Sequence, residues 1–156
     1  MILDKELQFA DGTWAPTATG DNISPNVLDL GPLSGLPSAN TNRDIGQGAQ
    51  MVLLITVKTS VTSGGAATVD FRFRTDSNSN LTTSPVDLAS TGAIAKATLI
   101  AGYQVKIAIP SSTFKRYVGV NANIGTAVLT AGAFECELVK DVQSNLKYAG
   151  AYSLDV

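Results

Sequence analysis

The side chains that usually carry enzyme chemistry are few in this chain of 156 residues. It contains no histidine, so the usual Ser-His-Asp and Cys-His arrangements and histidine-based metal sites are excluded. The single cysteine, Cys136, cannot form a disulfide within the chain or hold zinc alone. Glu135 and Glu137 flank it. Because carboxylates and burial both raise the pKa of a thiol, Cys136 is better interpreted as a small core residue than as a nucleophile.

The acidic residues are the remaining candidates for chemistry. Glu135 and Glu137 are two positions apart, so a strand would place both on one face, as in a glycosidase dyad or a calcium site. The solvent-facing side of a half-buried strand explains the same spacing, and we favour it. Residues 76–80 (DSNSN) are a sparse calcium-loop candidate. We therefore predict no catalytic, cofactor-binding or metal-binding residue, and an enzyme is the least supported class.

The basic residues are scattered along a chain of net charge -2. No basic stripe exists that could neutralise a run of phosphates, which argues against nucleic-acid binding. In residues 69–74 (VDFRFR), Arg72 and Arg74 alternate with apolar residues and share a strand face with Asp70. Their guanidinium groups could form salt bridges to another subunit, or they could be an ordinary solvated surface.

Period-two alternation is the dominant pattern and predicts strands. It is clear in residues 69–74, 103–109, 116–122 and 134–138, and residues 26–30 and 94–100 complete a set of about seven strands. Residues 51–57 (MVLLITV) are apolar on both faces, which predicts either a central covered strand or a strand with an intermolecular face. Short helical turns are possible at residues 84–88 and 141–148. Many short strands with glycine-rich turns predict an all-β, jelly-roll-like, two-sheet antiparallel sandwich.

The segments outside these strands are predicted to form loops and an N-terminal arm. Residues 31–48 and 76–84 are polar or rich in Gly and Pro, and we expect loops there. Residues 1–16 are interpreted as an extended N-terminal arm with apolar anchors, and residues 17–156 as a single β-sandwich domain. The anchors are Ile2, Leu3, Leu7, Phe9 and Trp14. We expect the arm to lie along a neighbouring molecule, so that deleting residues 1–14 would leave a folded domain that no longer binds its partner.

Targeting signals are not evident. The first residues carry Asp4 and Glu6 and no long apolar run, so no signal peptide is predicted. The longest strongly apolar stretch, residues 51–55, is too short to cross a bilayer. We expect a protein that is made in the cytoplasm and does not associate with membranes. Apolar surface in excess of the alternating pattern then favours an assembly component, since large exposed apolar patches usually mark interfaces.

Several segments, in the same order along nearly the whole chain, resemble the small capsid cement proteins of short-tailed bacteriophages. They are residues 1–4 (MILD), 7–11 (LQFAD), 26–31 (NVLDLG), 43–46 (RDIG), 116–120 (RYVGV), 129–132 (LTAG), 141–143 (DVQ) and 148–150 (YAG). Residues 32–42 are longer than the family pattern.

The resemblance implies a jelly-roll decoration protein on the outer face of the virion capsid. It would self-associate as a dimer or trimer and clamp the subunits of an HK97-type major capsid protein. No catalytic residue and no cofactor are implied. The residues predicted at the intersubunit or capsid interface are Ile2, Leu3, Leu7, Phe9, Trp14, Arg43, Arg72 and Arg74. The alternative is a carbohydrate- or receptor-binding β-sandwich module of a virion, for which Trp14 with Tyr103, Tyr117 or Tyr152 could supply aromatic contacts.

Overall fold

Long antiparallel strands form where the sequence alternates between apolar and polar residues. The computed structural model describes residues 5–31, 45, 48 and 50–140. After a 3₁₀ turn at Lys5–Leu7, its strands are β1 (Gln8–Trp14), β2 (Gly20–Ile23), β3 (Leu28–Asp29), β4 (Val52–Thr62), β5 (Thr68–Asp76), β6 (Val86–Ser90), β7 (Ile94–Ala95), β8 (Gln104–Ala108), β9 (Tyr117–Gly125) and β10 (Ala131–Val139).

Two antiparallel sheets pack face to face. Sheet A has the strand order β1-β10-β4-β8. Sheet B has the order β2-β9-β5-β6, with β3 also paired to β9 and β7 to β5. No α-helix occurs in the described part of the chain. The prediction of an all-β, jelly-roll-like, two-sheet sandwich is therefore confirmed.

The core lies between the inward faces of the two sheets. Phe71 and Phe73 of β5 are fully buried, and so is Phe134 of β10. The rings of Phe71 and Phe134 meet edge to face with their centroids 4.9 Å apart, which joins sheet B to sheet A across the sandwich. Burial of each such side chain stabilises the fold by about 1.5–3 kcal/mol. Cys136 lies in this core with no exposed surface, as the sequence predicts.

The segment of residues 51–57, which is apolar on both faces, contributes to a central strand, β4. β4 is hydrogen-bonded to β10 on one side and to β8 on the other. Leu53 and Ile55 point into the core, whereas Leu54 lies on the outer face of sheet A and is nevertheless only 3% exposed. Of the two interpretations open for this segment, the central strand is the one observed.

The N-terminal arm is a correction to the sequence prediction. Residues 8–14 are not an arm lying on a neighbour, because they form β1 and pair with β10 of the same chain. Phe9 is 1% exposed, and its ring lies 6.2 Å from that of Phe73. A register shift between Gln8 and Ala10 allows both Phe9 and Ala10 to be buried. This bulge interrupts the period-two pattern, so the strand was not recognisable from the alternation of residues.

Other elements differ in extent from the prediction. The helical turn proposed for residues 84–88 is wrong, since Val86–Ser90 is edge strand β6, and Pro85 lies just before it where no N–H is needed. The strand proposed for residues 94–100 is reduced to β7, because turns follow Ile94–Ala95. Residues 141–148 and nearly all of the 31–48 loop lie outside the described residues.

Candidate interaction surfaces

The predicted apolar anchors that the structure describes belong to the sandwich itself. Phe9 is in the core, and Leu7 is partly buried against it. Trp14 is also partly buried, with its ring edge-on to Phe134 at 6.1 Å. Ile2, Leu3 and Arg43 lie outside the described residues. The described anchors are thus held by intramolecular packing.

Arg72 and Arg74 form ion pairs within the chain. They lie on the outer face of sheet B, where β5 runs between β9 and β6. Arg74 bonds Asp87 through Nε at 2.5 Å and Asp21 through Nη1 at 2.7 Å, and its side chain is only 4% exposed. Arg72 bonds Asp70 at 2.7 Å. The guanidinium group of Arg74 is therefore bonded to carboxylates of the same chain. Of the two arginines, only Arg72 has a side chain that remains substantially exposed, at 28%.

Asp21 is one of four members of this cluster that the sequence did not reveal, together with Asp87, Asn121 and Asn123. Burial raises the pKa of Asp21, but hydrogen bonds donated by Asn121 and Asn123 and the ion pair with Arg74 outweigh it and lower the pKa to about 2. Asp21 lies on β2, which pairs with β9 and so brings it beside both asparagines. We call Asp21, Asp70, Arg72, Arg74, Asp87, Asn121 and Asn123 the arginine network.

The Glu135/Glu137 pair does lie on one face, the outer face of sheet A. Glu135 forms an ion pair with Lys58 at 3.2 Å. Glu137 is only 4% exposed, and its Oε2 has no hydrogen-bond partner among the described residues. Burial, and secondarily repulsion from Glu135, raises the pKa of Glu137. The solvated strand face expected for this pair is therefore wrong for Glu137, because the outer face of sheet A is covered at this position.

The polar loop after β5 is organised around one carboxylate. Asp76 accepts hydrogen bonds from the backbone N–H groups of Asn78 at 3.1 Å and Ser84 at 3.0 Å. Although burial raises the pKa of Asp76, these bonds lower it overall. The structure assembles no group of three or more potential metal ligands in residues 5–31, 45, 48 and 50–140. The Asp76 carboxylate instead joins the two ends of the loop through its hydrogen bonds to Asn78 and Ser84.

One end of the sandwich is almost free of charge. It comprises residues 60–67, 93–102 and 125–131, in which Lys96 is the only charged residue. Lys96 donates its amine to the carbonyl of Ser63 at 2.6 Å, and Ser63 Oγ donates to the carbonyl of Val128 at 2.6 Å. The backbone N–H of Ala101 bonds Ser60 Oγ at 2.9 Å. These bonds join the three segments into one surface, the uncharged end.

Two large apolar side chains project from the uncharged end. Ile100 is 58% exposed and Val128 is 55% exposed. They stand on either side of the terminus of β4, since Ala101 bonds Ser60 and Val128 bonds Ser63. Isolated exposed apolar residues are common, and these two lie on a surface in which Lys96 is the only charged residue.

The opposite end of the sandwich is charged. Arg116 pairs with Asp29 at 2.8 Å and lies over the ring of Tyr117 at 5.0 Å. Lys115 donates to the carbonyl and hydroxyl of Ser84. Within the described residues, the two ends of the sandwich thus differ in charge.

Cys136 and the aromatic residues are the remaining candidates for a catalytic or glycan-binding site. Burial, with Glu135 and Glu137 adding to it, raises the pKa of the Cys136 thiol well above its ordinary value, opposite to the activation that a nucleophile needs. Trp14 packs inward in sheet A, whereas Tyr117 belongs to sheet B, so these two aromatic residues do not share a platform. Within the described residues, no helix is long and apolar enough to span a membrane.

Taken together, the fold and its surfaces define an all-β sandwich protein whose ionisable groups are engaged mainly in its own stability. A family model described as Bbp16 matches residues 9–138. Because this match spans most of the chain, the protein belongs to the Bbp16 family. A comparison with curated proteins found no matching relative.

Proposed function

We propose that this chain is a structural virion protein that binds the outer face of a bacteriophage capsid and cements the lattice of the major capsid protein. The observation that carries the proposal is the uncharged end, with Ile100 and Val128 exposed on it. The resemblance of segments along the whole chain to capsid cement proteins supports the same conclusion. A cement protein needs a protein-binding surface and no reactive centre.

The uncharged end is the surface that would meet the shell. Because Lys96 is its only charged residue, this surface has a lower desolvation cost on docking than a charged one, since that cost is high wherever an ion loses water without a partner. The hydrogen bonds of Ser60, Ser63 and Lys96 hold the patch in shape before it binds. A preformed surface loses less conformational entropy on association than a flexible arm does.

Self-association as a dimer or trimer belongs to this proposal. Each copy then binds the shell through its own patch, and effective concentration multiplies contacts that are individually weak. Clamping of neighbouring shell subunits requires this multivalency. Sedimentation equilibrium of the purified protein measures the oligomeric state, and a monomer at all concentrations contradicts this part of the proposal.

Co-sedimentation with empty, expanded heads of the phage that encodes the protein tests shell binding. We expect the wild type to saturate the heads, and Ile100→Asp or Val128→Asp to weaken binding at least about tenfold, because a buried unpaired carboxylate costs well over ~1.4 kcal/mol. Val86→Asp is the matched control, since Val86 is 43% exposed but lies on edge strand β6. It should bind like the wild type.

Two outcomes would contradict the proposal. If the wild type does not bind the heads and instead binds glycans on an array, the protein is a binding module of the virion and not a cement protein. If Ile100→Asp and Val128→Asp bind the heads as tightly as Val86→Asp does, the uncharged end is not the contact surface. Circular dichroism of each variant verifies that the sandwich remains folded.

A further inference from the structure

The edges of the two sheets differ in regularity within the described residues. β1 has register shifts against β10, and β2 shares its side of β9 with the two-residue strand β3. β6 lies against a register shift and shares its side of β5 with the two-residue strand β7. β8 differs, because its five residues pair with β4 in a continuous register. Bulges and short strands hinder the addition of another strand, so β8 is the edge best suited to accept one.

The hydrogen bonds between β4 and β8 show which backbone groups face the free edge. Ile109 donates its N–H to the carbonyl of Met51 at 3.0 Å, and the carbonyl of Tyr103 accepts from Val57 at 2.9 Å. In an antiparallel pair, residues bonded to the neighbouring strand alternate with residues that are not. The odd-numbered residues of β8 are therefore bonded to β4. The N–H and C=O groups of residues 104, 106 and 108 point away from β4, towards the free edge.

The side chains on this edge leave it open. Gln104, Lys106 and Ala108 are all exposed, and Lys106 lies on the outer face of sheet A because it is paired with Leu54. Lys106 is the only charged residue of β8. No ion pair joins it to another described residue, unlike Lys58 of β4, which binds Glu135. One uncompensated positive charge therefore lies at the centre of the β8 edge.

A second copy of this chain presents the same edge, so two β8 strands could pair antiparallel about a two-fold axis. The register that bonds all three outward-facing residues places Gln104 opposite Ala108, and Lys106 opposite the same lysine of the other copy. Like charges directly opposite one another destabilise a strand pair. A register shifted by two residues separates the lysines, but it bonds only two of the three outward-facing residues. The most extensive pairing is thus the one that the lysine opposes.

We propose that Lys106 prevents the β8 edge from adding to the β8 edge of a second copy. Without this charge, the two copies of sheet A would join into one continuous sheet. Lysine on an edge strand is a common protection against such pairing. The inference does not rest on the proposed capsid role, and it assigns the self-association within that role to a surface other than β8.

A charge exchange tests the proposal. Lys106→Glu replaces one repulsion by another, so this variant should not pair with itself, whereas a mixture with the wild type brings glutamate opposite lysine. We expect the amides of residues 104, 106 and 108 to exchange hydrogen at least about tenfold more slowly in the equimolar mixture than in either protein alone, at low ionic strength. Amide exchange reports on the edge itself, so the result is independent of association through any other surface.

Removal of the charge is the second test. Lys106→Thr should pair with itself, because threonine suits a strand and two threonines opposite one another stabilise a strand pair. We expect the same amides to be protected at least about tenfold relative to the wild type, and the sedimenting mass to increase. Lys5→Glu is the matched control, since Lys5 is exposed and lies in the 3₁₀ turn away from β8. Its mixture with the wild type should exchange as the wild type does.

Salt separates charge from other causes of pairing. Exposed charges are screened at about 1 M salt, so protection of the mixture should decrease there, while Lys106→Thr should keep its protection. The proposal is overturned if these amides are already protected in the wild type at low salt, or if either the mixture or Lys106→Thr remains unprotected. Protection of the mixture that does not change with salt also overturns it. Circular dichroism verifies that each variant is folded.

Discussion

Replacement of Asp21 by Asn tests whether the arginine network stabilises the fold. A decrease in the Asp21 pKa from 3.8 to about 2 corresponds to about 2.4 kcal/mol at ~1.4 kcal/mol per pH unit. The carboxylate is 38% exposed, so solvent screening reduces this to about 1–1.5 kcal/mol. For a domain of this size that loss lowers Tm by roughly 3–5 °C.

The stabilisation that Asp21 contributes should depend on pH. The folded-state pKa of Asp21 lies below its unfolded value, so its stabilisation is complete above about pH 4 and is lost as the pH falls towards 2. Thermal denaturation followed by circular dichroism should show the full difference between wild type and Asp21→Asn at pH 7. The difference should shrink below pH 4 and vanish near pH 2.

A matched control is available on the same sheet. Asp29 forms an ion pair with Arg116, and both side chains are nearly half exposed. Asp29→Asn should therefore leave Tm within about 1 °C of the wild type at pH 7. An Asp21→Asn variant as stable as the wild type at pH 7, or a difference that persists unchanged at pH 2, would refute the stabilising role of Asp21.

The remaining predictions concern Glu137 and β1. Burial raises the pKa of Glu137 above its ordinary value, so ionisation of Glu137 opposes folding as the pH rises. Glu137→Gln should therefore raise the Tm at pH 8 and reduce the loss of stability between pH 4 and pH 8. A Tm below that of the wild type at pH 8 contradicts this. Phe9→Ala should cost about 3–5 kcal/mol in urea denaturation, because it opens a cavity in the core. Deletion of residues 1–14 removes β1 and should give an unfolded chain by circular dichroism; a cooperative melt would show that β1 is dispensable.

The sequence predicts the central strands because their environment is regular. β5, β9 and β10 each have one face in the core, and period-two alternation follows directly from that geometry. β4 was instead predicted from a run that is apolar on both faces, because Leu54 on the outer face of sheet A is buried as well. β1 and β6 were missed because register shifts interrupt their alternation, between Gln8 and Ala10 in one and between Phe73 and Arg74 opposite the other. Local irregularity of this kind is set by the partner strand, which a single-chain pattern does not contain.

The surfaces were predicted less well, for a related reason. The shared face of Arg72 and Arg74 is evident from spacing, but their partners Asp21 and Asp87 come from two other strands, 53 and 13 residues from Arg74 in the sequence. The uncharged end is likewise built from three separated segments that become one surface only after folding.

The pairing of β1 with β10 has a consequence for the way the chain folds during synthesis. Gln8 lies opposite Glu137, so β1 has no partner in sheet A until β10 has left the ribosome. Contacts of such long sequence separation make folding slow. Phe9 meanwhile remains available to other nascent chains, and the yield of folded protein should depend on chaperones and temperature.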